Sequence, residues 1–174
     1  MSDTYKVKKS FRIPMVVSVI ISLPIFADVI LNEAQMPHLA IAIFLLLIFY
    51  ILTINSLIRK VTLSEDGIRI RGLLGSRTSK LDDISFIDGV SIGSKQYITI
   101  SVPKKTYIIP NSYAGFDKIT NFFCSHLKED KTGEGIRLIR ENPVNRNKDT
   151  IVAWITAGVL VLVLFIRFHF LFLN

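Results

Sequence analysis

The chain has 174 residues, half of them hydrophobic, and a formal net charge of +7. This length accommodates one globular domain of about 100 to 150 residues together with membrane segments, and it excludes a second large core. A single cysteine, Cys124, excludes an intramolecular disulfide and a cysteine-rich zinc site. Long uncharged stretches separate the charged residues, which is typical of membrane proteins and disfavours a soluble enzyme.

Three apolar segments predict membrane-spanning helices, which need about 20 residues to cross a hydrocarbon core of ~30 Å. The first, residues 13–31, follows a basic tail of residues 1–12 and contains one carboxylate, Asp28. A cleaved signal peptide is the alternative for this segment, but a good cleavage site is missing and a second apolar segment follows closely. The second and third predicted spans are residues 39–58 and 151–172.

The distribution of Lys and Arg predicts the orientation of the spans, because basic loops are retained on the cytoplasmic side. The N-terminal tail is basic, whereas the loop between the first two spans contains no Lys or Arg. Arg59 and Lys60 follow the second span, and Arg146 and Lys148 precede the third. We therefore expect a multi-pass protein of the cytoplasmic (inner) membrane, with the N-terminus and residues 59–150 inside and the C-terminus outside.

Between the second and third spans the pattern changes to alternating apolar and polar residues with turn signals, which predicts a sheet. We expect six short strands within residues 61–109, with turns at Asp88 and Gly89 and at Gly93 and Ser94 among others.

A helical period follows in residues 113–127 and predicts one amphipathic helix, in which at least one of Phe122 and Phe123 belongs to the core. Residues 128–149 are polar, contain glycine and proline, and are interpreted as a linker. Within this linker, residues 136–140 are compatible with either a short strand or an interfacial turn.

Residues 61–127 resemble the cytoplasmic domain of the bacterial pleckstrin-homology-like (PH-like) membrane proteins. The resemblance rests on four stretches: VTLSEDGIRIRGLLG, RTSKLDDISFIDG, YITISVPKKTYIIP and AGFDKITNFFCSHL. It implies a bent sheet or partly open barrel closed by one C-terminal helix, so the expected fold class is three transmembrane helices plus a small α+β domain. The closing helix lacks the tryptophan of the phosphoinositide-binding domains, since Trp154 lies in a span. We therefore do not extend phosphoinositide recognition to this chain.

The residues that could support catalysis are scattered along the sequence. His38, His126 and His169 lie in three separate segments, whereas a hydrolase needs a nucleophile beside an oriented base. Cys124 and His126 are two residues apart, so on a helix they point to different sides. The sequence thus predicts neither an enzyme nor a cofactor or metal site.

Basic residues recur in the predicted strands and turns, but over residues 61–150 the fourteen Lys and Arg exceed the eleven Asp and Glu only by three. This small excess disfavours nucleic-acid binding. The cluster is either a surface for anionic lipid or a partner, or an ordinary solvated face that obeys the positive-inside rule. Its members are Arg69, Arg71, Arg77, Lys80, Lys104 and Lys105.

Two charged residues fall within the predicted spans, Asp28 in the first and Arg167 in the third. Counting from the inner end of each span at ~1.5 Å per residue puts them at similar heights, about 24 and 25 Å. They either pair with each other or reach the outer headgroups independently.

Taken together, these features predict a non-enzymatic membrane protein that presents a PH-like module at the cytoplasmic face to a protein partner or to the anionic lipid surface. The alternative is a regulatory or protective subunit acting within the bilayer on a membrane protease, a transporter or a membrane-active toxin. Membrane lipids and a protein in or at the membrane are the expected partners, and homo-oligomerisation stays open.

Overall fold

The computed structural model describes residues 2–32, 36–103, 105–144 and 148–173. The chain forms two compact units, and each is assembled from separate segments. Met1–Lys8 and Ile58–Lys148 form one unit, here called the α+β domain, while Lys9–Leu57 and Asp149–Asn174 form the other, the helical unit. In chain order the elements are β1 Ser2–Lys6, α1 Lys9–Asn32, α2 Met36–Ile58, β2 Lys60–Ser64, β3 Gly67–Gly72, β4 Gly75–Lys80, β5 Phe86–Ile92, β6 Lys95–Val102, β7 Lys105–Pro110, α3 Phe116–His126, α4 Glu134–Glu141 and α5 Lys148–Leu173.

The helical unit contains the three long helices that the apolar segments predict. Two of them, α1 and α5, contain stretches long and apolar enough to cross a membrane, and α2 extends over 23 residues. Polar side chains lie inside this unit as well as apolar ones. Ser18 Oγ donates to the carbonyl of Pro14 at 2.9 Å, and the hydroxyls of Ser22 in α1 and Tyr50 in α2 are 3.3 Å apart.

The described strands of the α+β domain form two antiparallel sheets, with strand orders β1-β2-β3-β4 and β5-β6-β7. The six strands expected within residues 61–109 are β2 to β7. Alternation explains the core, because every second residue of a strand points to the same face. At the edges of the two sheets, Ser79 Oγ in β4 donates to the hydroxyl of Tyr107 in β7 at 3.1 Å. The buried apolar residues of these strands are Val61, Leu63, Ile68, Ile87, Ile98, Ile100, Tyr107 and Ile109.

The first strand of the domain, β1, comes from the segment that the sequence predicts to be a basic tail. Residues 2–6 pair with β2 in register, with Ser2 opposite Ser64 and Lys6 opposite Lys60. Residues 1–12 are therefore not a separate tail, since the segment divides between β1 and the start of α1 at Lys9. The strand was missed because five residues with one aromatic side chain give too short an alternation to indicate a sheet.

Helix α3 contributes Phe116, Ile119 and Phe123 to the core, and all three are buried. Phe123 is fully buried, whereas the half-exposed Phe122 ring meets Phe123 edge-on and stacks on the imidazole of His126 at a centroid distance of 4.2 Å. The predicted amphipathic helix is therefore present, and Phe123 is its core phenylalanine.

The prediction that residues 128–149 form a linker is wrong, because this segment contains α4, which packs on β5. Ile136 and Ile139 are buried, so residues 136–140 form neither a strand nor an interfacial turn. Gly133 N donates to the carbonyl of Ile87 at 2.8 Å. The eight-residue helix was missed because its apolar face holds only two isoleucines.

Asp88 and Gly89 lie inside β5 rather than in the predicted turn, and they anchor the start of α4. The Gly135 N–H donates to Asp88 Oδ1 at 3.0 Å. The carboxylate of Asp88 in β5 therefore satisfies a backbone donor in the first turn of α4. A Cβ built on Gly135 would collide with the carbonyl oxygen of Gly89 and would lie 2.7 Å from Asp88 Oδ1. Glycine is thus required for the close approach of the two backbones.

We expect Gly135→Ala to destabilise the α+β domain by about 2 to 3 kcal/mol, the usual cost of forcing extra volume into a packed site. Thermal unfolding of the full-length protein in detergent measures the effect, with Glu134→Ala, at the exposed neighbouring position, as the control. Equal melting temperatures for the wild type and Gly135→Ala would show that α4 does not dock on β5 in this way.

Candidate functional site

The residues with catalytic chemistry stay apart in the described structure. The His126 ring nitrogen Nδ1 lies 2.9 Å from the carbonyl of Phe122 and from Ser125 Oγ, all on α3. The His169 ring packs near Phe165 on α5, and the side chain of His38 lies outside the described residues. Within residues 2–32, 36–103, 105–144 and 148–173, no cluster of three His, Cys, Asp or Glu could hold a metal ion.

A cavity of 450 Å³ lies between α3 and α4. Cys124 is half-buried at its wall, and Arg137 Nη2 at its rim is 3.8 Å from Glu129 Oε1. Neither the thiol nor the arginine faces an imidazole in this cavity, so its geometry is not that of an activated nucleophile. The lining residues are Cys124, Leu127, Glu129, Thr132, Arg137, Arg140 and Glu141.

The outer face of the four-stranded sheet is polar and carries a row of three cations. Directly opposed residues of an antiparallel pair share a face, and the register places Lys6 opposite Lys60 and Lys60 opposite Arg71. These three residues, here called the cationic row, cross β1, β2 and β3 at neighbouring positions. The next row along the strands contains Thr4, Thr62, Arg69 and Thr78.

The structure brings some of the predicted basic residues together and separates the others. Arg69, Arg71 and Lys80 share the outer face, with Lys80 at its far end opposite Gly67. Arg77 pairs with Ile70 and therefore lies on the other face of the same sheet. Lys105 begins β7 in the second sheet, and Lys104 lies outside the described residues.

Sequence reasoning missed two members of the outer face, Lys6 and Lys60. Both were interpreted only as topology determinants beside predicted spans. The indication that could have found them is their place in the chain: Lys6 lies three residues before α1 begins, and Lys60 two residues after α2 ends. When the strand before α1 pairs with the strand after α2, the β1–α1 junction and the α2–β2 junction lie next to each other.

Residues 110–114 contact the chain near both points at which it leaves the α+β domain. Lys8 N donates to the carbonyl of Ser112 at 2.9 Å, and Ala114 N donates to that of Lys6 at 2.8 Å. Asn111 Nδ2 donates to the carbonyl of Val144, close to the start of α5, at 3.2 Å. One short loop therefore contacts the chain just before α1 and just before α5.

The buried side chain of Gln96 fixes the same exit to α5. Its Nε2 donates to the carbonyl of Asn142 at 2.9 Å, while its Oε1 accepts the N–H of Val144 at 3.0 Å. Because buried amide groups are costly when unpaired, this pair of bonds defines the path of the chain after α4.

Tyr113 fills the core behind this loop and forms a β-bridge with Val7. Burial raises the pKa of its phenol above the ordinary tyrosine value, and the nearby positive charge of Arg59 partly opposes that shift. The phenol is therefore neutral at physiological pH and acts as a core side chain.

The two charged residues of the predicted spans meet within the helical unit. Arg167 Nε lies 3.4 Å from Asp28 Oδ2, and the side chains are 38% and 10% exposed, respectively. At this distance, each charged group lowers the free-energy cost of removing the other from water.

Comparison of the chain with protein-family models, with curated proteins and with solved structures found no match.

For the ion pair, we expect Asp28→Asn to destabilise the helical unit by about 2 kcal/mol, between the values typical of exposed and of buried pairs. The exchanged double variant, Asp28→Arg with Arg167→Asp, should recover most of this loss because it restores the attraction. Denaturation of the wild type and of both variants in detergent measures these differences. An exchanged variant that is no more stable than Asp28→Asn would contradict the pairing.

Proposed function

We propose that this chain is a non-catalytic membrane protein with three spans that holds a PH-like module against the anionic lipid surface at the cytoplasmic face, where the module binds a protein partner. The observation that carries this proposal is the cationic row, because its three members lie beside the junctions with two apolar helices.

The PH-like part of the proposal is supported by the two antiparallel sheets and by the position of α3 against their core. A domain with four strands in one sheet, three in the other and a C-terminal helix suits the bent, partly open barrel that the resemblance implies. The proposed third span is α2, whose residues 39–58 contain no charge and whose length of 23 residues suffices to cross a bilayer.

The proposed orientation follows from the basic residues at the junctions. Lys6, Lys8, Arg59 and Lys60 all lie in the α+β domain next to the helices, and such clusters are retained on the cytoplasmic side. The domain is therefore assigned to the cytoplasm and the end of α5 to the opposite side of the inner membrane.

Electrostatics favours an anionic partner for the cationic row. Like charges directly opposite each other on a sheet destabilise it by roughly 0.2 to 1 kcal/mol for each pair, and the register creates two such pairs. Lipid phosphates relieve this repulsion and contribute about 1 kcal/mol for each basic residue near the surface. The cationic row therefore destabilises the sheet in the absence of lipid and stabilises the domain at an anionic membrane.

The surface that we assign to a protein partner is the outer face of the three-stranded sheet. Phe86, Val90 and Ile92 in β5 and Ile108 in β7 are exposed there, on the face opposite the buried isoleucines of the same strands. Exposed apolar clusters of this kind mark interaction sites more often than single exposed residues do.

A second candidate function, regulation of another protein within the bilayer, is favoured by the polar contacts of the helical unit. The Asp28–Arg167 pair and the Ser22–Tyr50 contact place hydrogen-bonding groups between apolar helices. Such groups are uncommon in membrane spans and are often functional. The ion-pair variants separate the two candidates, since loss of the pair leaves the cationic row intact.

The lipid part of the proposal predicts that Lys60→Gln with Arg71→Gln weakens binding of anionic lipid about 30-fold, which is two lost contacts of about 1 kcal/mol each. Titration of phosphatidylglycerol into the detergent-solubilised full-length protein, followed by thermal stabilisation, measures this change. Without anionic lipid the same variant should be slightly more stable than the wild type, because the repulsion is removed.

The matched control replaces two exposed lysines elsewhere in the domain, Lys95→Gln with Lys118→Gln, and should leave the titration unchanged. Equal lipid response in the wild type and in the row variant would refute the assignment of the cationic row.

A further inference from the structure

The turn between β3 and β4 exposes two adjacent leucines. Leu74 is 95% exposed and Leu73 43%, although turns are normally built from polar residues, glycine and proline. Gly75 has a positive φ of 106° and follows the pair directly, so a tight hairpin holds both leucines at its end. We call Leu73 and Leu74 the leucine tip.

The leucine tip lies at the same end of the four-stranded sheet as the junctions with α1 and α2. β1 ends at Lys6, opposite the first residue of β2, Lys60, and Lys60 is opposite Arg71 near the end of β3. The tip follows Arg71 after a single residue, Gly72, which pairs with Gly75. A chain of two or three residues spans at most about 10 Å, so the connections from this end of the sheet to the start of α1 at Lys9 and to the end of α2 at Ile58 are short.

The residues around the tip carry positive charge. Arg71 precedes it and Arg77 follows it, and the segment of residues 67–80 contains no Asp or Glu. The only carboxylates of the β2–β4 segment, Glu65 and Asp66, lie in the turn at the opposite end of the sheet. Apolar side chains with cations behind them match the layering of a membrane interface, where acyl chains lie below anionic phosphates.

We propose that the leucine tip inserts into the cytoplasmic interface of the membrane that α1 and α2 cross, with the cationic row against the lipid phosphates above it. This inference rests on the proposed function for the location of the membrane, and it adds an apolar contact that the electrostatic attraction does not require. The insertion adds a point of attachment at the bilayer to the junctions of the α+β domain with the three helices, so that the outer face of the three-stranded sheet has a defined orientation.

The bilayer fits the tip better than a folded partner protein does. The tip is two residues wide and projects beyond the strands, which suits a soft interface, whereas a protein docking site is typically a larger, contiguous patch. In addition, α1 and α2 connect to the same end of the sheet, so in the proposed arrangement a lipid surface is close to the tip in every copy of the molecule.

Depth-dependent fluorescence tests the inference on the full-length protein in nanodiscs, in a Cys124→Ser background. An environment-sensitive NBD dye is attached to Leu74→Cys, and to Asp66→Cys at the opposite end of the same sheet as the matched control. Both positions are exposed, so neither substitution removes a core contact, and unchanged thermal unfolding verifies the fold. We expect blue-shifted emission and quenching by doxyl lipids at position 74, and water-like emission without quenching at position 66.

Water-like emission at both positions would overturn the insertion. Equal quenching at both positions would also overturn it, because it would show that the dye itself adsorbs to the membrane. The phosphatidylglycerol titration is independent of this readout. Failure of the titration with a buried dye at position 74 contradicts the role of the cationic row and leaves the insertion standing, whereas the reverse combination contradicts only the insertion. A dye at position 74 that becomes buried only after a second protein is added overturns the proposal in favour of a protein site.

Discussion

The pairing of β1 with β2 is the constraint on which the rest of this structure depends. The strands are adjacent in the sheet but are separated in sequence by α1 and α2, so the two helices emerge from neighbouring positions at one end of the sheet. The hydroxyls of Thr4 and Thr62, 3.1 Å apart, mark the middle of this pairing. The same pairing completes the cationic row, because it aligns Lys6 with Lys60. The adjoining β2–β3 pairing places the leucine tip at the same end of the sheet.

Much of the fold follows from patterns that depend on local sequence. Apolar length predicts α1, α2 and α5, alternation predicts the six strands β2 to β7, and a helical period predicts α3. The elements missed, β1 and α4, have too few apolar residues to establish a period and are stabilised by distant partners. For α4 these are the carboxylate of Asp88 and the space that Gly89 and Gly135 leave for each other. The Asp88–Gly135 contact connects residues 47 positions apart, and contacts of this kind leave no periodic pattern in the sequence.

The position of a candidate site residue was predictable where it depends on a single strand or helix. It was not predictable where it depends on the register between two strands. Alternation along β3 places Arg69 and Arg71 on one face, as expected, but only the pairing of β4 shows that Arg77 faces the other way. Lys6 and Lys60 were assigned to topology because their approach depends on β1. For Asp28 and Arg167, counting the helical rise from the span ends gave similar heights, and the packing of α1 and α5 decides that they meet.

Cross-strand disulfide formation tests the central claim, that the domain obtains its first strand from the segment before α1, most directly. In a Cys124→Ser background, Thr4→Cys with Thr62→Cys should form a disulfide on mild oxidation of the full-length protein, because directly opposed strand residues have Cβ atoms about 4.5 to 5.5 Å apart, near the range a disulfide spans. The control pair, Thr4→Cys with Thr78→Cys, is separated by two intervening strands and should stay reduced. Equal oxidation of both pairs, or of neither, would contradict a β1 strand built into the sheet in this register.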